Sequence, residues 1–161
     1  MTDVPKQADL DDFARGWNQT DVLRYLGFHM AFPDQRTVEV SLPKVMGQQR
    51  GGKGTDAING GILAALYDFA LGATSLLVVP IRRSATVQLS MSFEKAVRGN
   101  SARCVARVDR STKNLVFSAA ELYDEAGTMC SRAQGVISLG APTTLAEWRD
   151  AINGYADEVK K

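Results

Sequence analysis

The stretch Ala57-Ile-Asn-Gly-Gly-Ile-Leu-Ala-Ala-Leu-Tyr-Asp-Phe-Ala-Leu-Gly-Ala-Thr-Ser-Leu-Leu-Val-Val-Pro80 decides how this chain folds, and Asp68 is its only carboxylate. Its residues are apolar on nearly every side of a helix, which predicts a helix inside a core. The helix should begin near Asn59 or Gly60 and end by Val79, because Pro80 disfavours helical backbone in the residue before it. Asp is a mediocre helix former and costly to bury alone. At the centre of such a helix it is either hydrogen-bonded for structure or held for chemistry. The length invites a membrane reading. The Gly and Ala content, the central Asp68 and the restriction of strong hydrophobicity to residues 76–79 predict a core helix instead.

Downstream of the helix the period changes to two. Val87, Leu89, Met91 and Phe93 share one face and Thr86, Gln88, Ser90 and Ser92 the other, the pattern of a half-buried strand over residues 84–93. Arg98-Gly99-Asn100 turns the chain into a second strand, where Cys104, Ala106 and Val108 alternate with Arg103, Val105 and Arg107. After a turn at 110–114, residues 115–123 and 128–139 form a last pair joined across Asp124-Glu-Ala-Gly127, a hairpin signal.

Upstream, residues 36–42 alternate, with Val38 and Val40 on one face. Leu10, Phe13, Trp17, Val22 and Leu26 are spaced as in one or two short amphipathic helices. Residues 144–160 predict a closing helix opened by the capping-box pattern Thr144-x-x-Glu147. One long buried helix followed by antiparallel strands predicts an α+β fold in which the sheet wraps the helix. The expected organisation is a single domain over 1–161, with its core at about 36–139, an N-terminal helical segment at 8–28 and a C-terminal helix at 144–160.

With 161 residues, 45% hydrophobic and 23% charged, the chain can bury a sizeable core. Its net charge of +1 gives no global field to recruit nucleic acid or an anionic membrane. Residues 1–12 are mostly polar and carry no signal-peptide pattern, so a soluble, cytoplasmic protein is expected. Cys104 and Cys130 then read as reduced core residues.

The single histidine, His29, is far in sequence from any nucleophile motif, and no G-x-S-x-G elbow exists. It reads as a structural or pocket-wall residue. One His and two separated Cys make no zinc-ligand set, so no metal is expected. Gly47-Gln-Gln-Arg-Gly-Gly-Lys-Gly54 fits the phosphate loop G-x-x-x-x-G-K-[ST] except at its last position, where Gly54 replaces the hydroxyl that holds magnesium. It reads as a solvated glycine-rich loop, with Arg50 and Lys53 as the residues that would meet a phosphate.

Two features of the long helix remain. Its N-terminus offers unpaired backbone N–H groups at the positive end of a dipole, and Asn59-Gly60-Gly61 there is either an oxyanion-stabilising turn or a plain cap with glycines that ease packing. Asp68 lies about 12 Å further along the helix axis. A reacting carbon must sit ~3 Å from both oxyanion donor and nucleophile, so one helix does not close that gap. Two antiparallel helices in a dimer would place Gly60 of one chain near Asp68 of the other.

Asn59-Gly-Gly-x6-Asp68-x-Ala70-x-Gly72, followed by Ser84-Ala-Thr-Val-Gln-Leu-Ser-Met-Ser-Phe93, resembles the hot-dog-fold acyl-CoA thioesterases of the phenylacetate-pathway (PaaI) type, over roughly residues 36–139. In that family the triplet is usually His-Gly-Gly. The resemblance implies that the Gly60 N–H binds the thioester carbonyl and that Asp68 attacks it or activates water, with Thr86 assisting. By parity Thr86 lies on the polar face of its strand, so reaching the site requires a curve or bulge. Asn59 replaces the usual His and Lys53 stands where Asn or Gln is common, which bears on rate and specificity.

An acyl-CoA substrate also needs cations for its phosphates, and Arg82, Arg83, Lys95, Arg98, Arg110 and Lys113 lie at strand ends and turns. Arg83 and Lys113, with Gly61, His29 and Tyr67, are the expected substrate contacts. Phe28, His29, Met30, Phe32, Leu66 and Tyr67 are the expected pocket lining. No metal or redox cofactor is implied, coenzyme A entering only as part of the substrate, and the expected assembly is a homodimer or homotetramer. A catalytically weak acyl-CoA-binding or regulatory protein of the same fold is the alternative, and a nucleotide-binding protein a distant third.

Overall fold

The computed structural model describes residues 5–52, 54–78, 82–144, 146–147 and 150. In chain order these form helices α1 (Gln7–Trp17) and α2 (Asp21–Leu26), strands β1 (His29–Asp34) and β2 (Thr37–Leu42), and a short 3-10 turn at Gly47–Gln49. Helix α3 (Gly60–Ala73) then runs into a 3-10 turn at Thr74–Leu77, and β3 (Arg82–Phe93), β4 (Ala102–Ser111), β5 (Leu115–Asp124) and β6 (Met129–Pro142) follow.

Helix α3 starts where Asn59, in extended backbone, takes the Gly61 N–H on its side-chain oxygen at 2.8 Å, while its carbonyl accepts from Ile62 and Leu63. The α-helix ends at Ala73, within the expected limit at Val79. Thr74 and Ser75 turn their hydroxyls onto the carbonyls of Leu71 and Gly72, at 2.6 and 2.9 Å, and the winding tightens to 3-10. Val79 and Pro80 lie outside the described residues.

All six strands pair antiparallel in the order β1-β2-β4-β5-β6-β3. The strand after the long helix is therefore not the neighbour of the strand that follows it. Helix α3 packs against β2, β4, β5, β6 and β3, so it carries the chain across the sheet and delivers β3 to the far edge beside β6. The sequence pattern also passed over β1, a short edge strand that contains Pro33.

Leu63, Leu66, Tyr67, Ala70 and Leu71 of α3 are buried with Val38, Val40, Cys104, Val116, Leu122 and Ile137 of the sheet. Each large apolar side chain removed from water contributes about 1.5–3 kcal/mol, which is why the sheet curls onto this face of the helix. Residues Gly60–Leu77 have the length and composition of a membrane span, yet half of that window is buried inside the protein. Cys104 and Cys130 are free and buried, and burial raises both thiol pKa values.

The two sheet edges are finished differently. Along β1, the Asn18 side-chain amide donates to the Met30 carbonyl at 2.9 Å and accepts the Met30 N–H at 2.7 Å, while Gln7 donates to the Phe32 carbonyl at 2.7 Å. Side chains of and beside α1 thus stand in for a neighbouring strand. Twelve-residue β3 has no strand on its outer side among the described residues. The capping box at Thr144 forms, with Glu147 N–H on Thr144 Oγ1 at 3.1 Å and Thr144 N–H on the Glu147 carboxylate at 2.8 Å. Most of the expected helix over 144–160 lies outside the described residues.

Candidate active site

Gly60, Gly61 and Asp68 are exposed and Ala65 and Gly72 half-buried, so one stripe of α3 stays open while the opposite face enters the sheet. Asp68 is thus not the buried acid expected from an all-apolar helix. Its neighbours on that side are glycine and alanine, which count as apolar but are too small to draw the sheet over them. Among the described residues the Asp68 carboxylate has no hydrogen-bond or ion-pair partner in the chain, so nothing there ties it to a structural role.

Beside Asp68 lies a cavity of ≈ 210 Å³. Asp68, Phe69 and Gly72 of α3 line it with Ser84 and Thr86 of β3, Phe13 and Trp17 of α1, and Met30 of β1. Thr86 reaches it through a bulge. Thr86 pairs with Ile137 and Gln88 with Val136, so Val87 is the extra residue and is pushed outward, 60% exposed. Strict alternation put Val87 inside and Thr86 on the polar face; the bulge reverses that pair, while Leu89 and Met91 stay on the inner face. A side-chain carbon at Gly72 would sit at ordinary contact distance, 3.5 Å, from Thr86 Oγ1, so the hydroxyl lies close to α3 one turn beyond Asp68. The Ser75 and Ser84 hydroxyls, 2.8 Å apart, tie the end of the helix to the same strand.

At the other end of the stripe Asn59 holds the Gly61 N–H, so Gly61 gives close approach rather than a donor. The Gly60 N–H has no acceptor among the described residues. A Gly60 side chain would meet the Phe93 ring at 3.5 Å, so Phe93 lies beside the helix start. The Asn59 N–H donates to the Gln49 carbonyl at 2.8 Å. Buried Gln49 is itself anchored through its side chain, which accepts from Met46 N–H at 2.8 Å and donates to the Leu26 carbonyl at 2.6 Å. Gln49 therefore fixes the helix start, a role that its place in a glycine-rich loop concealed. In the same loop Arg50 donates to the Gly99 carbonyl at 2.8 Å and also to Asp56 and Asn100, so its guanidinium is occupied in holding the loop. Lys53 lies outside the described residues.

Several expected contacts are elsewhere. Tyr67 is fully buried on the sheet side of α3, its hydroxyl without a partner in hydrogen-bonding geometry among the described residues. Burial raises its pKa, and the nearby Ser131 hydroxyl, which donates to the Ser92 carbonyl at 2.8 Å, only partly offsets that. His29 is exposed in a shallow groove with Arg15 and Asn18, apart from the Asp68 cavity. Of the expected pocket lining, Met30 alone borders the cavity. Phe28 and Phe32 lie behind it, packing edge-on against Phe69 and Phe13 with ring centres 6.0 and 6.1 Å apart.

Among the cations, Arg82 donates to the Gly140 carbonyl at 3.3 Å, Arg98 pairs with Asp56, and Arg110 stacks on Phe117 at 4.5 Å. Arg83 on β3 and Lys113 in the β4–β5 turn are exposed and outside the cavity. Among the described residues no three His, Cys, Asp or Glu side chains converge as a metal-ligand set.

The chemistry is therefore split along one face. A free carboxylate and a hydroxyl border an apolar cavity, and a free N–H at a helix N-terminus lies about 12 Å away along the axis.

Residues 56–131 match the family model described as Thioesterase superfamily. A Thermoplasma volcanium protein named "Putative esterase TV1331" is 29% identical over 85 residues, 52% of this chain and 63% of that protein, so the chain spans less than two thirds of that relative's length. A Shewanella oneidensis structure related to the thioesterase superfamily superposes with a TM-score of 0.74 at 18% identity, over 84% of this chain and 100% of its own. The PaaI protein of the E. coli phenylacetic acid degradation operon gives 0.69 at 16% identity, over 83% and 98%. A Haemophilus influenzae thioesterase gives 0.70 at 14% identity, over 86% and 93%. The architecture is the hot-dog fold, a six-stranded antiparallel sheet around one central helix.

Proposed function

We propose that this chain, with its Thioesterase superfamily match over residues 56–131, is a homo-oligomeric thioesterase that hydrolyses an acyl- or aroyl-CoA to the free acid and coenzyme A. The observation that carries the reading is the open stripe of α3, which presents a Gly60 N–H and an Asp68 carboxylate, both unpaired among the described residues and too far apart to serve one carbonyl within one subunit. Two such helices packed antiparallel bring the Gly60 N–H of one subunit to the Asp68 of the other, giving two sites per dimer. The outer edge of β3, unpaired among the described residues and with Val87 and Phe93 exposed, supports the same assembly.

In this mechanism the thioester carbonyl accepts the Gly60 N–H at the positive end of the α3 dipole, which stabilises the oxyanion as it forms. Asp68 either adds to the carbonyl carbon or takes a proton from the water that does. As general base, Asp68 passes the proton taken from water to the thiolate of coenzyme A as the tetrahedral intermediate collapses with cleavage of the C–S bond. As nucleophile, it expels the thiolate, which takes its proton from water, and a further water hydrolyses the resulting mixed anhydride to the free acid and restores the carboxylate. Thr86 orients the carboxylate or the water. Asn59 replaces the usual His without loss of the local geometry, since the cap needs an acceptor for the Gly61 N–H and not a charge.

The test is release of free thiol from a panel of acyl- and aroyl-CoAs by the parent protein and by Asp68→Asn. Turnover that falls by about 10²-fold or more in the variant supports the reading. Tight binding with no thiol release by the parent would favour the alternative, an acyl-CoA-binding or regulatory protein, to which the uncharged Asn59 points.

A further inference from the structure

Part of the apolar wall of the Asp68 cavity, beside Phe69, Ala73, Leu76 and Ala85, is built by a part of the chain outside the α3–β3 scaffold. Phe13 and Trp17 come from α1, which packs on β1, and Met30 from β1 itself. Trp17 stands edge-on to Phe69 with ring centres 6.4 Å apart, and Phe69 is the neighbour of Asp68. The indole is half-buried and lines the cavity. Asn18, next in sequence, clamps the end of α1 to the β1 backbone through its paired hydrogen bonds with Met30.

The volume sets a scale. An apolar cavity of about 150 Å³ is enough to hold benzene, so ≈ 210 Å³ accommodates one ring with a short arm or, in proportion, a chain of about eight carbons. A palmitoyl chain is larger than this volume.

We propose that Trp17 is the specificity-determining residue of this site: its indole closes the acyl end of the cavity and sets the longest acyl group accepted, with Asn18 as the positioning residue that keeps α1 in place. This rests on the thioesterase reading only in taking an acyl group as the occupant. The enzyme then prefers short and medium acyl or single-ring acyl groups, and the limit is written in the N-terminal helix and not in the Asn-Gly-Gly or Asp68 positions.

The experiment measures kcat/KM for acyl-CoAs from acetyl to palmitoyl with the parent, Trp17→Ala and Trp17→Phe, and in parallel the binding of non-hydrolysable thioether analogues of the same lengths. The ratio of palmitoyl to octanoyl efficiency should rise about tenfold or more in Trp17→Ala, as expected when an apolar wall is removed, with Trp17→Phe between the two. A role of Trp17 in folding alone would lower every chain length together and leave the ratio unchanged, which overturns the proposal. Should Trp17→Ala fail to fold, the ratio in Trp17→Phe decides. If no thioester is hydrolysed but the binding limit for the thioethers still lengthens in the variants, the wall is confirmed and the thioesterase reading falls. If length selectivity in both turnover and binding is the same in all three proteins, the wall is elsewhere.

Discussion

The two faces of α3 share one sequence and one backbone but do opposite work. Leu66, Tyr67, Ala70 and Leu71 are completely shielded by the sheet, whereas Gly60, Gly61 and Asp68, a few residues away, are exposed. Both faces score as apolar. What separates them is size: large side chains gain by burial, while glycine and alanine gain little and leave ground that a substrate and a second helix can occupy. One face holds the fold together, and the other carries the unpaired N–H and carboxylate.

If that division is real, substitutions on the two faces separate stability from turnover. The largest effect is expected from Leu66→Ala, which empties a fully buried site and should cost about 2–5 kcal/mol in denaturant unfolding with turnover per folded molecule unchanged. Loss of turnover at parental stability would break the comparison. Asp68→Asn is the mirror image. Its kcat should fall by about 10²-fold or more, ~2.7 kcal/mol on the barrier, while stability moves by no more than about 0.5 kcal/mol because the carboxylate is exposed and has no partner to lose. A lowered melting temperature with unchanged kcat would return Asp68 to the structural face.

Asn59, at the junction of the two faces, sharpens the contrast. Asn59→Ala removes the acceptor for the Gly61 N–H and should cost about 1 kcal/mol, with turnover falling as the turn around Gly60 loosens. Asn59→His should preserve or raise turnover. Asn59→Asp keeps the cap and places a favourable negative charge at the helix start, so its stability should hold, yet that charge opposes the oxyanion expected at Gly60 and turnover should fall. Equal turnover in Asn59→Asp and the parent would mean that no negative charge develops there.

The long helix, its cap, the last hairpin and the Thr144 capping box were legible because each is encoded by neighbours in sequence. The order of the strands was not, since only the path of α3 across the sheet places β3 beside β6. Thr86 was misplaced by strict alternation, which has no means of registering an extra residue. A clue did exist: Gly135 on β6 lies at the bulge, where a side chain would meet Leu71 at 3.1 Å and the Gln88 carbonyl at 3.5 Å, and an isolated glycine within a strand pattern marks such a close approach. Gln49 and Trp17 act through contacts distant in sequence, with Leu26 in one case and Phe69 in the other, and no local pattern announces those.

The smallest expected effect tests the buried face from the opposite direction, by improving it. Among the described residues Tyr67 brings a hydroxyl into the core without a hydrogen-bond partner, so Tyr67→Phe should stabilise the protein by about 1 kcal/mol at neutral pH and leave turnover unchanged. The sign of its pH dependence follows from burial, which raises the phenol pKa in the folded chain above the ordinary value of about 10. The stability this difference contributes is fully present below pH ~10 and is lost as pH climbs from there towards the folded pKa, because only the unfolded chain gives up the proton in that window. Phenylalanine has no proton to give up. The advantage of Tyr67→Phe should therefore widen above pH ~10, by at most about 1.4 kcal/mol per pH unit, while the buried Cys104 thiol, present in both proteins, cancels in the difference. Denaturant unfolding of the two proteins at neutral pH and above pH ~10 reads this directly. An advantage that stays constant with pH would show that the Tyr67 hydroxyl is solvated, and that this face of α3 is less completely closed than its burial states.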